Sequence, residues 1–464
     1  MDYKEMNMAI KSNKFEKNWM TDNNGYELNS EEVNRYISVL PSTNQLRLAN
    51  KPFYAFLHFG MNTATGREWG TGSERAADFT IKKINVSQWL KTLKECGMTG
   101  VILTCKHHDG FCLWDTKQTD FNVMNSPFGD DIVRIVAAEC IRQNMDFGVY
   151  LSPWDMHEKS YGTPAYNDYF CAQLTELLTN YGDVFEVWFD GAKGANAVDF
   201  EYDWDRYYDI VRTLQPKANI AICGPDIRWV GNEGGKTRKS EYSVVPSMLC
   251  DAEKVSKNSQ HTEGAFNAVT SKDEDLGSRD VLSHHSFLSW YPAEVDVSIR
   301  KGWFYSKEGD STVKSADELF DIYLNSVGNN CTLLLNVPPS DKGVIYRKDA
   351  AVLKKLGKKI MSLYEKPVTV QKVGELREGW VDFNFDSERK VKNVIISEDI
   401  AYSQRVEAFD LYLRKNGKYK KVYSGTVIGS RSIIRFSAKK CDAARLLIRQ
   451  SRSTPILKSV AFYE

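Results

Sequence analysis

The sequence predicts an α/β protein: a (β/α)8-like barrel followed by a C-terminal all-β sandwich. Three observations carry this. From Pro52 onward, short continuous apolar runs alternate with longer amphipathic stretches, the pattern of a parallel sheet covered on both faces. The alternation spans enough chain for a barrel with inserted loops. After Glu365-Lys366-Pro367 it gives way to short strand-like runs separated by turn residues, as in an antiparallel sandwich. The expected division is an N-terminal arm over 1–50, a catalytic barrel over 51–365 and a β-domain over 366–464.

Within the arm, SEEVNRYISV predicts one short helix over 30–39 with Ser30 as its cap, because a side-chain oxygen there satisfies free N–H groups of the first turn. In the barrel, FYAFLHF (53–59), TGVILTC (99–105), DFGVYLS (146–152), VFEVWFD (184–190), NIAICG (219–224) and CTLLLNV (331–337) predict strands. Between them, 85–97, 131–144, 164–182, 203–216 and 315–328 carry helical periodicity, the first stopped by Gly97. The regularity weakens over 225–312. An open doubly wound sheet is the rival fold, but no GxGxxG turn follows the first strand, which weighs against its dinucleotide-binding form. In the β-domain, VTVQKVG, GWVDFNF, KVKNVIISE, VEAFDLYL, KYKKVYSG, RSIIRFS and ARLLIRQ predict seven strands.

Composition narrows the function. The 464 residues hold 61 basic and 61 acidic side chains, so no basic field exists to hold a nucleic-acid backbone. No apolar run approaches the roughly 18 residues of a membrane span. Aromatic residues make up 12% of the chain, including 11 Trp and 23 Tyr, and flat rings with polar edges suit the faces of sugars. The nine cysteines include no CxxC pair, and several sit in apolar runs; they read as buried thiols of a reducing compartment rather than a disulfide frame or zinc site. The first twenty residues are polar and charged, without the apolar core of a signal peptide. A cytoplasmic protein is the expectation; a secreted or periplasmic protein with its signal removed is the alternative.

In a barrel the chemistry gathers where strands end. His58 and Gly60 close the first run, Lys106, His107, His108 and Asp109 the second, Tyr150, Ser152, Trp154 and Asp155 the third, and Trp188, Phe189, Asp190 and Gly191 the fourth. Asp190 follows an apolar strand directly. It is either the cap of the next turn or a rigidly mounted carboxylate nucleophile. Glu233, in the glycine-rich RWVGNEGG, is either a solvated loop glutamate, which the sequence alone favours, or a second carboxylate of the site, with Glu241, Glu263 and Glu294 competing for that role. His107 and His108 with His58 and Cys105 invite a metal reading. Zinc barrels use HxH spacing because alternate strand residues share a face, and adjacent histidines do not; sugar hydroxyls are the better partners, with a pair of structural, helix-capping histidines as the remaining alternative. GREWG (66–70) and Trp303 place an acid and indoles in loops.

At these residues the chain resembles the α-L-fucosidases of glycoside hydrolase family 29. The matching stretches are FYAFLHFGMNT with GREWG, LTCKHHDGFCLWDTKQTDFNV, GVYLSPWD, EVWFDGA, RWVGNEGG, EVDVSIRKGWFY and NCTLLLNVPPSDKGVI, in order across the barrel. The resemblance implies a retaining exo-α-L-fucosidase that works through a covalent fucosyl-enzyme, with Asp190 as nucleophile. It implies fucose contacts from His58, Glu68, Trp69, His107, His108, Tyr150, Trp188 and Trp303. RWVGNE is similar to the branch that cleaves α1,3/4-linked, Lewis-type fucose, which implies Glu233 as acid/base. No cofactor or metal is implied; the implied partners are fucosylated oligosaccharides or glycoconjugates. Phe56, Phe59 and the Trp residues are candidates for an apolar wall against the sugar methyl. A metal-dependent barrel hydrolase using His58, His107, His108 and Asp190 is one rival, separated by chelator sensitivity. A non-catalytic carbohydrate-binding protein is the other, ended by any release of fucose.

Overall fold

The computed structural model describes Thr21 and residues 25–194, 200–252 and 269–464. Its first body is built on the parallel strands β1 (Phe53–Leu57), β2 (Gly100–Lys106), β3 (Asp146–Leu151), β4 (Glu186–Phe189), β5 (Asn219–Ile222) and β6 (Arg228–Trp229). A side hairpin, β7 (Val244–Pro246) with β8 (Leu288–Trp290), precedes β9 (Ala293–Ser298) and β10 (Thr332–Asn336). The sheet order is β5-β4-β3-β2-β1-β10-β9-β6. A parallel bridge from Ala221 to Ile227, with Ile222 N–H donating to Ile227 O at 2.9 Å, brings the two edges together. The result is a nearly closed eight-stranded barrel, not the open sheet. The strands of five residues or more are buried almost throughout, which is why they read as unbroken apolar runs.

Helices Val86–Glu95, Ile132–Gln143, Ala165–Asn180, Trp204–Leu214, Ala316–Ser326 and Arg347–Met361 cover the outside. The last of these has no counterpart among the sequence-based expectations. Gly97 follows the first at φ +98°, a left-handed stop that glycine adopts without a Cβ penalty. The weak regularity over 225–312 has a physical basis: only four residues separate Ile227 from Ile222 at the end of β5, too few for a helix, and β6 has two residues.

The arm carries two helices, Ser30–Ile37 and Thr43–Ala49, where the sequence suggests one. The first is capped by Asn29 rather than Ser30, in a reciprocal box with Glu32; Ser42 and Gln45 repeat the device in the second. Leu28 and Tyr36 pack with Val244, Leu282, Trp290 and Ile400. The arm therefore wedges between the long β6–β9 insertion and the β-domain.

That domain is an antiparallel sandwich of six strands: β11 (Pro367–Glu375), β12 (Trp380–Glu398), β13 (Val406–Lys415), β14 (Lys418–Gly425), β15 (Ser432–Ser451) and β16 (Ile456–Tyr463). GWVDFNF and KVKNVIISE are two halves of β12, and RSIIRFS and ARLLIRQ two halves of β15. The register breaks between Asn384 and Arg389, and the turn-like residues there mark this bulge instead of a strand end. Phe383, Phe409, Leu446, Val460 and Phe462 sit in its core.

All nine cysteines are free, eight of them buried. Among the described residues, no helix is long and apolar enough to cross a membrane.

Glu241 is a structural anchor. It is 1% exposed; its Oε2 accepts from Arg228 Nη2 at 2.7 Å and its Oε1 from Arg238 N at 2.9 Å and Arg238 Nη1 at 3.1 Å. Removing one member of a buried pair leaves an uncompensated charge, at a cost of about 3–5 kcal/mol. Glu241→Gln is therefore expected to lower the unfolding free energy by that order, read as a lower urea midpoint. A midpoint equal to that of the parent protein would contradict the assignment.

Candidate active site

Alternate residues of each strand face the barrel axis. On β1 these are Tyr54, Phe56 and, just past its end, His58; on β4, Glu186, Trp188 and then Asp190. Cross-barrel contacts fix three layers. Tyr54 meets Glu186, Glu294 and Thr332 at the floor. Phe56 packs on Trp188 at 5.2 Å and Tyr150 at 5.6 Å in the middle. At the top, His58 Nδ1 lies 2.9 Å from Asn336 Oδ1.

Asp190 is partly open, with 26% of its side chain exposed. Its Oδ1 accepts from Ala192 N at 2.8 Å, the bond that caps the turn after the strand. Its Oδ2 is left for the pocket, where Tyr150 OH donates at 3.1 Å and His108 Nε2 stands 3.9 Å away. One carboxylate thus does both jobs. Burial, then the Asp190 charge, push the Tyr150 phenol well above its ordinary pKa, so the hydroxyl keeps its proton and donates.

The two best-bonded histidines have assigned tautomers. Asn336 Nδ2 donates to Ser298 Oγ at 2.9 Å and to Trp303 O at 2.8 Å. Its Oδ1 therefore faces His58, whose Nδ1–H donates and whose Nε2 keeps a lone pair. Ser152 Oγ donates to Trp154 O at 2.7 Å, leaving its lone pair for His108 Nδ1–H at 2.7 Å. His108 Nε2 then faces Asp190 as an acceptor, a geometry that takes a hydroxyl donor between them. Burial lowers His58 to about 3 and draws His107 and His108 below the ordinary histidine range; the Asp190 charge opposes the shift at His108. β2 ends at Lys106, so His107 and His108 lie beyond the strand and both rings, 4.0 Å apart, reach the site. The shared-face argument against a metal, drawn for residues within a strand, does not apply to them. His107 stacks on Tyr150 at 5.7 Å and 14°.

Trp303 is the hub of the rim. Its indole donates to Glu233, its backbone N–H to Glu68, and its ring lies 5.0 Å from His58. Gly302 has φ +84°, a left-handed conformation that glycine adopts without strain, and it packs beside the Glu68 carboxylate. Glu233, exposed at the mouth, has its pKa raised by partial desolvation and then by the charges of Asp190 and Glu68, against the Trp303 bond. Glu68 is also raised by desolvation, opposed by the N–H groups of Trp303 and Phe304. Trp69 is 57% exposed and edges onto Trp154 and His108.

Several expectations need correction. Phe59 packs on Phe79 and Trp89, away from the pocket, so it cannot wall a sugar methyl there, whereas Phe56 lies inside. Lys106 is buried against Asp155 at 2.9 Å beneath the rings of Tyr166, Tyr169 and Phe170. Asp109 is buried, accepting from Asn62 Nδ2 and Phe111 N. Neither is a pocket group. Glu241 belongs to its ion pairs and Glu294 to the floor; Glu263 lies outside the described residues. Sequence reasoning missed Asn336, Trp229 and Asp296. Asp296 is buried, accepts from Trp229 Nε1 at 2.7 Å, and is pushed well above the carboxylate range by burial and then by Glu233. The signal was the alternation of Glu294, Asp296 and Ser298 with apolar residues in AEVDVS.

The comparisons agree with this architecture. A family model described as Alpha-L-fucosidase matches residues 67–364. Alpha-L-fucosidase 1 of Arabidopsis thaliana is 35% identical over 463 residues, covering 91% of this chain and 87% of the relative. A Bacteroides ovatus crystal structure, provisionally described as an alpha-L-fucosidase, superposes with a TM-score of 0.86 at 42% identity, covering 93% of this chain and 75% of that one. A Ruminococcus gnavus glycoside hydrolase family 29 fucosidase solved in complex with fucose superposes with a TM-score of 0.77 at 28% identity, covering 92% and 95%. This chain belongs to the α-L-fucosidases of glycoside hydrolase family 29.

Proposed function

We propose that the protein is a retaining exo-α-L-fucosidase that releases α1,3- and α1,4-linked L-fucose from Lewis-type glycans by double displacement. The observation that carries the reading is the convergence of two carboxyl groups in unlike surroundings. Asp190 keeps one oxygen toward the pocket with a hydroxyl donor on it. Glu233 stands at the mouth with its proton held more tightly by desolvation and by the Asp190 charge. Retaining glycosidases need such a pair, about 5–5.5 Å apart, one attacking and one protonating the leaving oxygen.

In the first step an Asp190 oxygen bonds to the anomeric carbon as the glycosidic bond breaks. Glu233 delivers its proton to the departing oxygen. In the second step the Glu233 carboxylate takes a proton from water, whose oxygen attacks the same carbon and frees Asp190. His58, His107, His108, Glu68, Trp69, Tyr150, Trp188 and Trp303 hold the fucose. The Nε2 lone pairs of His58 and His108 suit sugar hydroxyls, and Phe56 and Trp188 offer apolar surface. Among the described residues, no group of three His, Cys, Asp or Glu side chains could hold a metal ion.

The linkage preference is supported by the likeness of RWVGNEGG to the α1,3/4 branch and by the position of its loop. Gly231 has φ +107°, and a Cβ there would stand 2.0 Å from Ser271 O. The turn therefore fixes how the chain leaves β6 toward Glu233. Trp229, Glu233 and the Trp303 turn flank the place where a leaving sugar would lie.

Three outcomes are expected. Asp190→Ala should lose about 10³-fold or more in kcat while remaining folded. Azide should then restore part of the turnover by attacking from the vacated side, giving β-fucosyl azide. A folded variant that keeps more than a few per cent of activity would remove Asp190 from the role. Glu233→Ala should slow glycan substrates by about 10²–10⁴-fold yet spare fucosyl fluoride, whose leaving group needs no proton. Because Glu233 must be protonated for the first step and its pKa is raised, the alkaline limb of kcat/KM should fall above the ordinary glutamate range and vanish in the variant. Equal losses on fluoride and glycan would move the acid/base role elsewhere. Lewis a and Lewis x trisaccharides should show much higher kcat/KM than 4-nitrophenyl fucoside or 2′-fucosyllactose, since remote contacts can stabilise the transition state. Equal values on α1,2- and α1,4-linked substrates would refute the preference.

A further inference from the structure

Barrel floors are ordinarily filled by branched apolar side chains. Here the floor holds two carboxyl groups, Glu186 on β4 and Glu294 on β9, both fully buried. Burying carboxyl groups is costly, and replacing a buried charged cluster by apolar residues of similar volume is often neutral or stabilising. Their presence calls for a geometric account.

The bonds converge on Glu294. Its Oε1 accepts from Trp188 Nε1 at 2.8 Å, and its Oε2 from Tyr54 OH. Glu186 adds a third bond. Burial and then the charge of Glu294 raise the Glu186 pKa well above the ordinary value, so Glu186 carries the proton and donates it toward Glu294. Glu186 Oε1 has no hydrogen-bond partner among the described residues. Glu294 is thus the acceptor of the cluster.

Trp188 is the only member of the cluster that reaches the layer above. Its N–H is its single polar handle. With that handle tied to the floor, the ring has one orientation, apolar edge upward. It stacks on Tyr150 at 5.4 Å and 29°, with Phe56 5.2 Å away. Tyr150 in turn donates to Asp190.

We propose that Glu294 is a positioning residue: from the barrel floor it fixes the indole of Trp188 and, through the Trp188–Tyr150 stack, the hydrogen bond that Tyr150 gives Asp190. The inference rests on Asp190 as the nucleophile. Glu294 touches no substrate; its removal lets Trp188 turn and Tyr150 drift, and small misplacements of this kind lower the chemical step.

The test is a double-mutant cycle in kcat/KM on a Lewis trisaccharide, with Glu294→Gln, Trp188→Phe and the double variant, each checked by thermal melting. Glu294→Gln keeps one acceptor oxygen but sets an amide N–H among three donors, Trp188 Nε1, the Tyr54 hydroxyl and the Glu186 carboxyl, and should lower kcat/KM at least about tenfold through kcat rather than KM. Once Trp188 has lost its N–H, the Gln substitution should cost little more, so the losses should not multiply. Losses that multiply, or a Glu294→Gln variant within about threefold of the parent, would overturn the proposal. Should Glu294→Gln fail to fold, Tyr54→Phe loosens the same carboxylate from outside the pocket. It should lower kcat several-fold with KM unchanged, and an unchanged kcat would overturn the proposal. Failure of azide to rescue Asp190→Ala would remove the nucleophile reading separately, because the coupling between Glu294 and Trp188 is read without it.

Discussion

Closure of a parallel barrel allows only every second residue of a strand to face the axis, and this constraint arranges everything above it. The inward rows of β1, β4, β9 and β10 each give one residue to the floor, one to the middle and one to the rim. Tyr54, Glu186, Glu294 and Thr332 share the first layer. His58, Asp190, Ser298 and Asn336 close the last. A pocket group is therefore the top of a column whose lower members fix its height. A one-residue slip in β4 would turn Asp190 outward and bring Phe189 in. The narrow bridge at Ala221–Ile227 matters for the same reason: it draws β6, and with it the Glu233 loop, to the edge of the sheet next to β4.

The electrostatics follow from burial. Glu186, Glu294 and Asp296 are all raised by desolvation, and His58, His107 and His108 all lowered by it. Acids pushed toward their neutral form and histidines held neutral leave few competing charges around the pocket. Lys106, the basic residue nearest these histidines in sequence, is turned away into an ion pair with Asp155. The negative charge of Asp190 then adds to desolvation in raising the Glu233 pKa. The histidines serve as acceptors, with Asn336 and Ser152 choosing the tautomer.

Much of this was legible in the sequence, for identifiable reasons. The long barrel strands are fully buried, so their apolar runs gave both the element and the end at which polar residues appear; Asp190 and the two histidines were found that way. The β6–β9 stretch was not legible because a two-residue strand has no periodicity. In the sandwich, the bulge after Asn384 imitates a turn, so two long strands look like four short ones. Phe59 and Phe56 are alike in composition and differ by an odd number of positions, so they fall on opposite sides of the wall. Applying the alternation to AEVDVS would have placed Asp296 inside; attention to carboxylates in loops passed over it. Asn336 ends an apolar strand as Asp190 does, but an amide carries no obvious chemistry until its partner His58 is seen.

The same constraint divides the labour between strands and loops. Of the groups that would meet the fucose itself, the deepest, His58, Tyr150, Trp188 and Asp190, are strand residues or lie one step beyond a strand, where backbone ladders hold them, while Glu68, Trp69 and Trp303 reach it from loops. Groups that would meet what departs, Glu233 and the outer face of Trp303, sit on loops whose shape depends on Gly231 and Gly302. A loop can be remodelled without disturbing the barrel ladder, whereas a strand end cannot. Under the proposed function, the deepest contacts to the sugar would be built into the hydrogen bonding of the sheet, and selection among the glycans that carry it would fall to the turns at Gly231 and Gly302, joined by the Trp303 indole.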